Sequence, residues 1–504
     1  MYFYLIFCSL KHKLMRQKDL GGHMQFSFVL YLCGLVLALF GTVMLFPAVL
    51  DAFNHDMTSM WAFVNSAIVS LAVGLTVVFI AKRPWNKMSK KEMFLSTSCV
   101  WLVSVLCCAL PFVFNGISFT DAFFESSSGL TTTGATVLEH LDDMSKGLLM
   151  WRAITHWFGG IGIVILAIMV MPVLHIGGMQ MFSTESSDTS SKDVPQIAKR
   201  MQLVCLVYLG VSIACTVCLY FGGMTLFDAV AHAMSTMSTG GFSTHDASIK
   251  YFDGTYIPYI IMFFMFVAAM PFMYILAIVT GRWRRVKNDM QPKTFALIIA
   301  VASLALGVYC WQHTNNSFSE ALAKVSFAVI SITSGTGFVW HNYLQWGTFI
   351  PASLFFLTAV GGCTGSSAGG IKIFRIDIVF QALRRHLKLM VNPHAVVVPR
   401  YNNQPVTNDI MLSVMVFLAV FTVVTMLSTL CLSLLGENLQ DALSATLSCI
   451  ANVGPGVTDK VSPVSTFAIF SPTAKWVLAF VMILGRLEFM TITVLLWPTL
   501  WLKK

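Results

Sequence analysis

Four uncharged segments of this sequence offer oxygen atoms and little else: "TTTGAT", "STGGFST", "TGTGF" and "NVGPGV". Within them Thr132, Thr133 and Gly134, then Ser238, Thr239 and Gly240, then Gly335, Thr336 and Gly337, then Asn452, Val453 and Gly454 supply backbone carbonyls and hydroxyls. Such oxygens can stand in for the water around a monovalent cation. A ring of Lys or Arg would suit an anion and a ring of Asp or Glu a divalent cation, and these segments contain neither. Successive carbonyls facing one pathway need backbone angles that are costly to a residue with a β-carbon, which accounts for the glycines. A plain turn between packed helices would explain one such segment, but not four at matching places.

Two further features suit a barrier. "LTAVGGCTGSSAGGIKIF" (357–374) holds Gly361, Gly362, Gly365, Gly369 and Gly370, five glycines and two serines within ten residues, and cannot stay a regular helix. Gly365 and Gly370 have phosphate-loop spacing, but Ile371 and Lys372 do not supply Gly-Lys-Ser/Thr and no strand precedes them, so a nucleotide loop is excluded. An unwound loop across the pathway remains, with a simple packing kink as its alternative. Lys372 fits that gate or a snorkelling position near the membrane face. Arg486, in "VLAFVMILGRLEFMTITVLL", is a guanidinium in mid-span, and such residues mark ion paths by default. Its structural alternative is a pair with Glu488 or another buried acid.

The elements that position these groups are apolar. The chain has 504 residues, 56% hydrophobic and 11% charged, with mean hydropathy +0.75. Ten runs are long enough to span a bilayer: 26–50, 60–81, 93–114, 151–175, 201–222, 256–280, 294–311, 347–383, 409–435 and 474–502, two of them interrupted. The +9 net charge follows membrane topology and needs no nucleic acid. Basic clusters (Lys82 to Lys91, Lys192 to Arg200, Arg282 to Lys287, Arg384 to Lys388) alternate with acidic loops, which puts both termini in the cytoplasm.

Gly134, Gly240, Gly337 and Gly454 lie 106, 97 and 117 residues apart, each after a short apolar-to-hydroxyl stretch and between two spanning runs. Asp121, Asp228 and Asp441 open three of those stretches and are expected to cap them. In the third unit Glu320 lies one turn too early, with Lys324 at the equivalent spacing, so that half-helix should be longer or shifted. The fold expected is an all-α polytopic membrane protein: four pseudo-repeated helix, pore-loop, helix units around a central pore, plus an N-terminal two-helix unit. The boundaries are an extension at 1–23, the two-helix unit at 24–91, and repeats at 92–178, 179–287, 288–400 with a broken second helix, and 401–504. All four units begin on one side, which disfavours a rocking transporter with inverted halves.

Residues 1–23 are too short to span and lack a small-residue cleavage site. The cysteines lie mostly in apolar runs, and Cys215 with Cys218 lacks the partners of a zinc site. His156 reads as a packing or hydrogen-bonded histidine.

The four filter-like motifs, with "GGCTGSSAGGIK" and "LGRLE" on later helices, resemble the Trk/Ktr/HKT superfamily of potassium transporters, in its bacterial TrkH branch, over essentially all of 24–504. The resemblance implies potassium as substrate, bound only at the twelve filter positions, with no organic cofactor in this chain. It implies a homodimer in the bacterial inner membrane, a cytosolic nucleotide-binding Trk regulatory subunit, an intramembrane gate loop, and an arginine below the filter at Arg486. A serine at the first filter glycine is associated with sodium permeation in plant relatives, so Gly134 points to potassium. Proton- or sodium-coupled symport is the transport alternative. A membrane-embedded lipid-modifying enzyme would need acids or histidines clustered at one face, and a mere scaffold would bury four polar loops at a cost.

Overall fold

The computed structural model describes residues 26–81, 90–169, 194–402 and 404–498; the expected extension 1–23 and Lys82, Arg83, Lys87 and Lys192 fall outside them. Every apolar run forms helix. Among the described residues seven helices are long and apolar enough to cross a membrane: Phe26–Phe53, Met57–Ile80, Lys91–Phe114, Lys146–Ala167, Met201–Phe221, Gln291–His313 and Asn408–Leu434.

The other three runs are interrupted, one more than expected. The run at 347–383 splits into Phe349–Val360 and Ile373–Val391, and the last into Pro472–Arg486 and Met490–Leu496. The run at 256–280 also breaks, into Ile257–Ala268 and Phe272–Val279 with a 101° bend. Pro271 sits at that break, where its ring and missing N–H end the preceding helix.

The N-terminal pair packs through glycine. A β-carbon on Gly74 would lie 2.7 Å from Ala38 N and 2.8 Å from Gly34 O, the backbone approach that small residues allow where lipid gives no hydrophobic drive. The pair is tied to the first repeat by Asp51, whose Oδ1 accepts from Gly147 N at 2.6 Å.

Each repeat places a half-helix between an outer and an inner helix. The half-helices are Phe119–Leu130, Leu226–Met237, Phe318–Ser334 and Leu439–Ile450; the third has 17 residues and the others 12. The third is thus the longer one, which absorbs the early Glu320. The caps differ from expectation. Ser118, Thr225 and Ser317 accept from the backbone N–H of Asp121, Asp228 and Glu320, so hydroxyls cap and the acids stand at the third helical position, near the positive end of the helix dipole. Asn438 caps the fourth half-helix without a side-chain bond. The loops that follow the filter join neighbouring units in a cycle. Leu141 N donates to Asp246 Oδ1 at 3.0 Å, Trp340 Nε1 to Asp253 Oδ1 at 2.9 Å, Tyr343 Oη to Gly456 O at 2.6 Å, and Phe467 N to Thr136 O at 2.8 Å.

Candidate ion pathway

All four half-helices end in the same backbone motif. Thr132, Thr239, Gly335 and Asn452 adopt left-handed φ of 51°, 54°, 77° and 55°. Their N–H groups donate to the carbonyls of Gly129, Thr236, Ile332 and Cys449, and the next residues, Thr133, Gly240, Thr336 and Val453, donate to Ser128, Ser235, Ser331 and Ser448. These are the paired bonds of a Schellman cap. Left-handed φ is usual for glycine, tolerated by asparagine, and an outlier for β-branched threonine.

Two residues on, Gly134, Gly241, Gly337 and Gly454 are again left-handed. They interlock. A β-carbon on Gly134 would lie 2.2 Å from Gly240 O, one on Gly241 2.1 Å from Thr336 O, one on Gly337 2.0 Å from Val453 O, and one on Gly454 2.6 Å from Thr133 O. Each unit's glycine thus abuts the carbonyl preceding the next unit's glycine, and the fourth returns to the first. Four loops that close such a cycle surround a common axis.

The cycle corrects the expected register of the second unit. Gly240 corresponds to Thr133, and Gly241 to Gly134; Ser238 moves up to the position of Thr131. Gly240 stays in the ring through its carbonyl, but it is Gly241 that needs the left-handed angle. Gly240 also packs on the buried His156 ring, which a β-carbon would meet at 2.2 Å. His156 Nδ1 lies 3.1 Å from Ser235 Oγ, and its ring stacks on Phe242 at 4.0 Å. It is a packing histidine.

The first filter loop is braced by an ion pair that sequence reading did not single out. Arg152 Nε donates to Glu125 Oε1 at 2.8 Å, with both side chains buried. Glu125 also accepts from Thr136 Oγ1 and Val137 N, and Arg152 reaches Ser243 O in the second unit. At the fourth loop Asn452 Nδ2 donates to Thr133 Oγ1 and to Met482 O, both at 3.0 Å.

Beneath the ring lies the glycine-rich loop, between the helices ending at Val360 and starting at Ile373. Gly361, Gly365, Gly370 and Lys372 are left-handed. Gly369 abuts the filter base, since a β-carbon there would lie 2.4 Å from Ala451 O, and Gly362 packs on Ala269. The loop is held by the break in the second unit, through Cys363 N to Ala269 O at 3.0 Å and Phe272 N to Gly365 O at 3.1 Å. It is also held by the break in the fourth. Arg486 Nη1 donates to Ser367 O at 2.8 Å, while Lys372 Nζ lies 2.8 Å from Glu488 Oε1.

Two side-chain expectations change here. Lys372 does not snorkel; it is 3% exposed and paired with Glu488. Arg486 is not paired with Glu488, whose other oxygen engages Arg375. Glu488 lies two residues beyond Arg486 and past the helix end, and the chain turns there through left-handed Glu488 and Phe489. Arg486 is 2% exposed, and its Nε and Nη2 find no hydrogen-bond partner among the described residues. It is a buried cation beside the glycine-rich loop, held by a carbonyl.

A family model described as TrkH, cation transport protein, matches residues 59–500. The chain is 36% identical over 481 residues to the Trk system potassium uptake protein TrkI of Halomonas elongata, over 94% of this chain and 96% of that one. It is 34% identical over 491 residues to the Trk system potassium uptake protein TrkH of Escherichia coli, over 95% and 100% of the two chains. The crystal structure of the potassium transporter TrkH from Vibrio parahaemolyticus matches with a TM-score of 0.87 at 34% identity, over 95% of this chain and all of that one.

Proposed function

The chain belongs to the TrkH family of cation transport proteins, and from that membership and the interlocked ring we propose that it takes up potassium through a carbonyl-lined filter. It is a multi-pass membrane transport protein of the Trk family and not an enzyme, which sets the lipid-modifying alternative aside. The observation that carries the filter reading is the closed cycle of glycine-to-carbonyl contacts. Oxygens gathered around one axis can replace a dehydrated cation's water, and the half-helix C-termini add partial negative charge. Thr132, Thr133, Gly134, Thr239, Gly240, Gly241, Gly335, Thr336, Gly337, Asn452, Val453 and Gly454 form this filter.

In this reading the loop from Gly361 to Lys372 is the gate and Arg486 the electrostatic barrier beneath the filter. A guanidinium held by Ser367 O repels a cation until loop and arginine move together. Glu125 and Glu488 are each engaged by a basic partner, which favours gated conduction over a carboxylate proton relay. The chain works as a dimer in the bacterial inner membrane, with both termini cytoplasmic and a cytosolic nucleotide-binding subunit controlling the gate.

Rubidium and sodium fluxes into liposomes holding the purified chain test the filter. The wild type should pass rubidium far better than sodium. Gly134→Ser places a side chain where a β-carbon already meets Gly240 O at 2.2 Å and φ is 80°, and should erode that preference by about tenfold, equivalent to about 1.4 kcal/mol. Equal fluxes in the wild type, or an unchanged preference in the variant, would remove the ring from the mechanism.

A further inference from the structure

The last carbonyl of the half-helix, two residues before the Schellman threonine or asparagine, is covered differently from unit to unit. Leu130 O lies against Gly159 and Ile450 O against Gly485, so closely that a β-carbon on either glycine would come within 2.0 and 2.1 Å of the oxygen. Those glycines belong to the unit's own inner helix. In the second unit the inner helix ends at Ala268, and among the described residues no such glycine covers Met237 O. The gate loop fills the place: Ser367 Oγ donates to Met237 O at 3.0 Å.

The same hydroxyl lies 3.4 Å from Ala268 O, at the helix break, and 3.3 Å from Thr239 Oγ1, in the filter. Ser367 is fully buried, and its own carbonyl holds Arg486. One residue therefore touches the end of a half-helix, a strained filter threonine, the break in an inner helix and the barrier arginine. Thr239 is β-branched and left-handed, a conformation that persists only where its surroundings over-determine it. If the loop lifts, Met237 O loses this donor and Thr239 loses the neighbour that packs its hydroxyl at the base of one filter strand, keeping only its own bond to Ser238 O.

We propose that Ser367 is a positioning residue for ion discrimination: its hydroxyl fixes the second filter strand through Met237 and Thr239, so gate seat and filter selectivity form one coupled device. The inference rests on the filter reading above. Among the described residues the loop meets the fourth strand through Gly369, packed on Ala451 O, whereas the second strand is the one that it holds through a hydroxyl.

The test is cation-dependent thermal melting of the purified full chain, because a ligand that binds only the native state raises stability with concentration. The readout is the ratio of the sodium and rubidium concentrations giving half of the stabilisation. In Ser367→Ala that ratio should narrow about fivefold, the factor that one neutral hydrogen bond supplies. Ser353→Ala is the control, since that hydroxyl lies outside the loop and bonds Phe349 O one turn back in its own helix; its ratio should equal the wild type's. Thr239→Val removes the facing hydroxyl and should narrow the ratio too, which keeps the test alive if Ser367→Ala fails to assemble.

A lower melting temperature at an unchanged ratio in Ser367→Ala would mean a merely structural hydroxyl and overturn the proposal. So would an unchanged ratio in Thr239→Val, or an equal narrowing in Ser353→Ala. If Gly134→Ser collapses the ratio while Ser367→Ala keeps it, this inference alone fails. If the wild type fails to distinguish rubidium from sodium, the filter reading fails with it.

Discussion

At the level of the filter the four units are alike, and just beneath it no two are. Each half-helix ends in the same paired hydrogen bonds, with a left-handed residue at Thr132, Thr239, Gly335 or Asn452 and a left-handed glycine two positions on. Below, the first inner helix runs unbroken through Gly159, the second bends by 101° at Pro271, the third opens into the glycine-rich loop, and the fourth breaks after Arg486. In the reading proposed above, the difference follows from the two tasks. Coordination of one ion on an axis needs oxygens at equal distances, so sequences as different as "TTG" and "NVG" are forced into one geometry. A gate needs a part that can leave its seat, and the breaks in the second and fourth units supply the two edges between which the third unit's loop is held.

The comparison breaks first where the upper layer is braced. Glu125→Ala would leave Arg152 buried with no carboxylate and free the Thr136 and Val137 groups that hold the first loop. Losing one partner of a buried pair costs about 3–5 kcal/mol. Melting of the purified variant should show that loss together with a weaker rubidium preference. A variant within about 0.5 kcal/mol of the wild type, as for a neutral surface change, would mean the filter layer is not fixed by this pair.

A smaller effect sharpens the contrast from below. Arg486→Ala removes the buried cation next to the gate loop while leaving the ring's own contacts in place. Basal flux should rise on the order of tenfold, about 1.4 kcal/mol off the barrier, and by the same factor for rubidium and sodium. An unchanged rate would take Arg486 out of the barrier; a shift in the ion ratio as large as the rise would mean that Arg486 sets ion discrimination and not the barrier alone.

Much of this was legible in the sequence because it is local. Ten apolar runs and four glycine segments survive in any context, since the bilayer sets helix length and left-handed backbone selects glycine. The register of the second unit was not legible from its glycines, because "TGG" offers two. It is set by Gly240 N donating to Ser235 O, and the serine that recurs five residues before Thr133, Gly240, Thr336 and Val453 was the signal that would have fixed it. Pro271 in "AAMPFMY" was a local sign of the third broken run. The pairs Arg152 with Glu125 and Lys372 with Glu488 join residues far apart in sequence, on different helices, so no periodicity reveals them; only packing decides which buried acid meets which base.

The smallest expected effect lies in the loops that follow the half-helices. His245, from the second unit, places Nδ1 2.5 Å from Asp142 Oδ1 of the first unit and Nε2 3.7 Å from Asp228 Oδ1 of its own half-helix, and its ring stacks on Tyr251 at 3.6 Å. Partial burial works against the imidazolium, but the two carboxylates beside it, Asp142 bonded and Asp228 close by, outweigh it and raise the His245 pKa above its ordinary value. A folded-state value above the unfolded one gives stability that is fully present below about pH 6.5 and lost as pH rises through the folded value. The chain should therefore hold these two units together more firmly in acid than in base, by less than about 1 kcal/mol at so open a site. Melting at about pH 5.5 and about pH 8.5, on either side of the histidine range, should show the difference in the wild type and lose it in His245→Gln. Equal pH dependence in both proteins would mean that the contact between the first two units does not depend on the charge of His245.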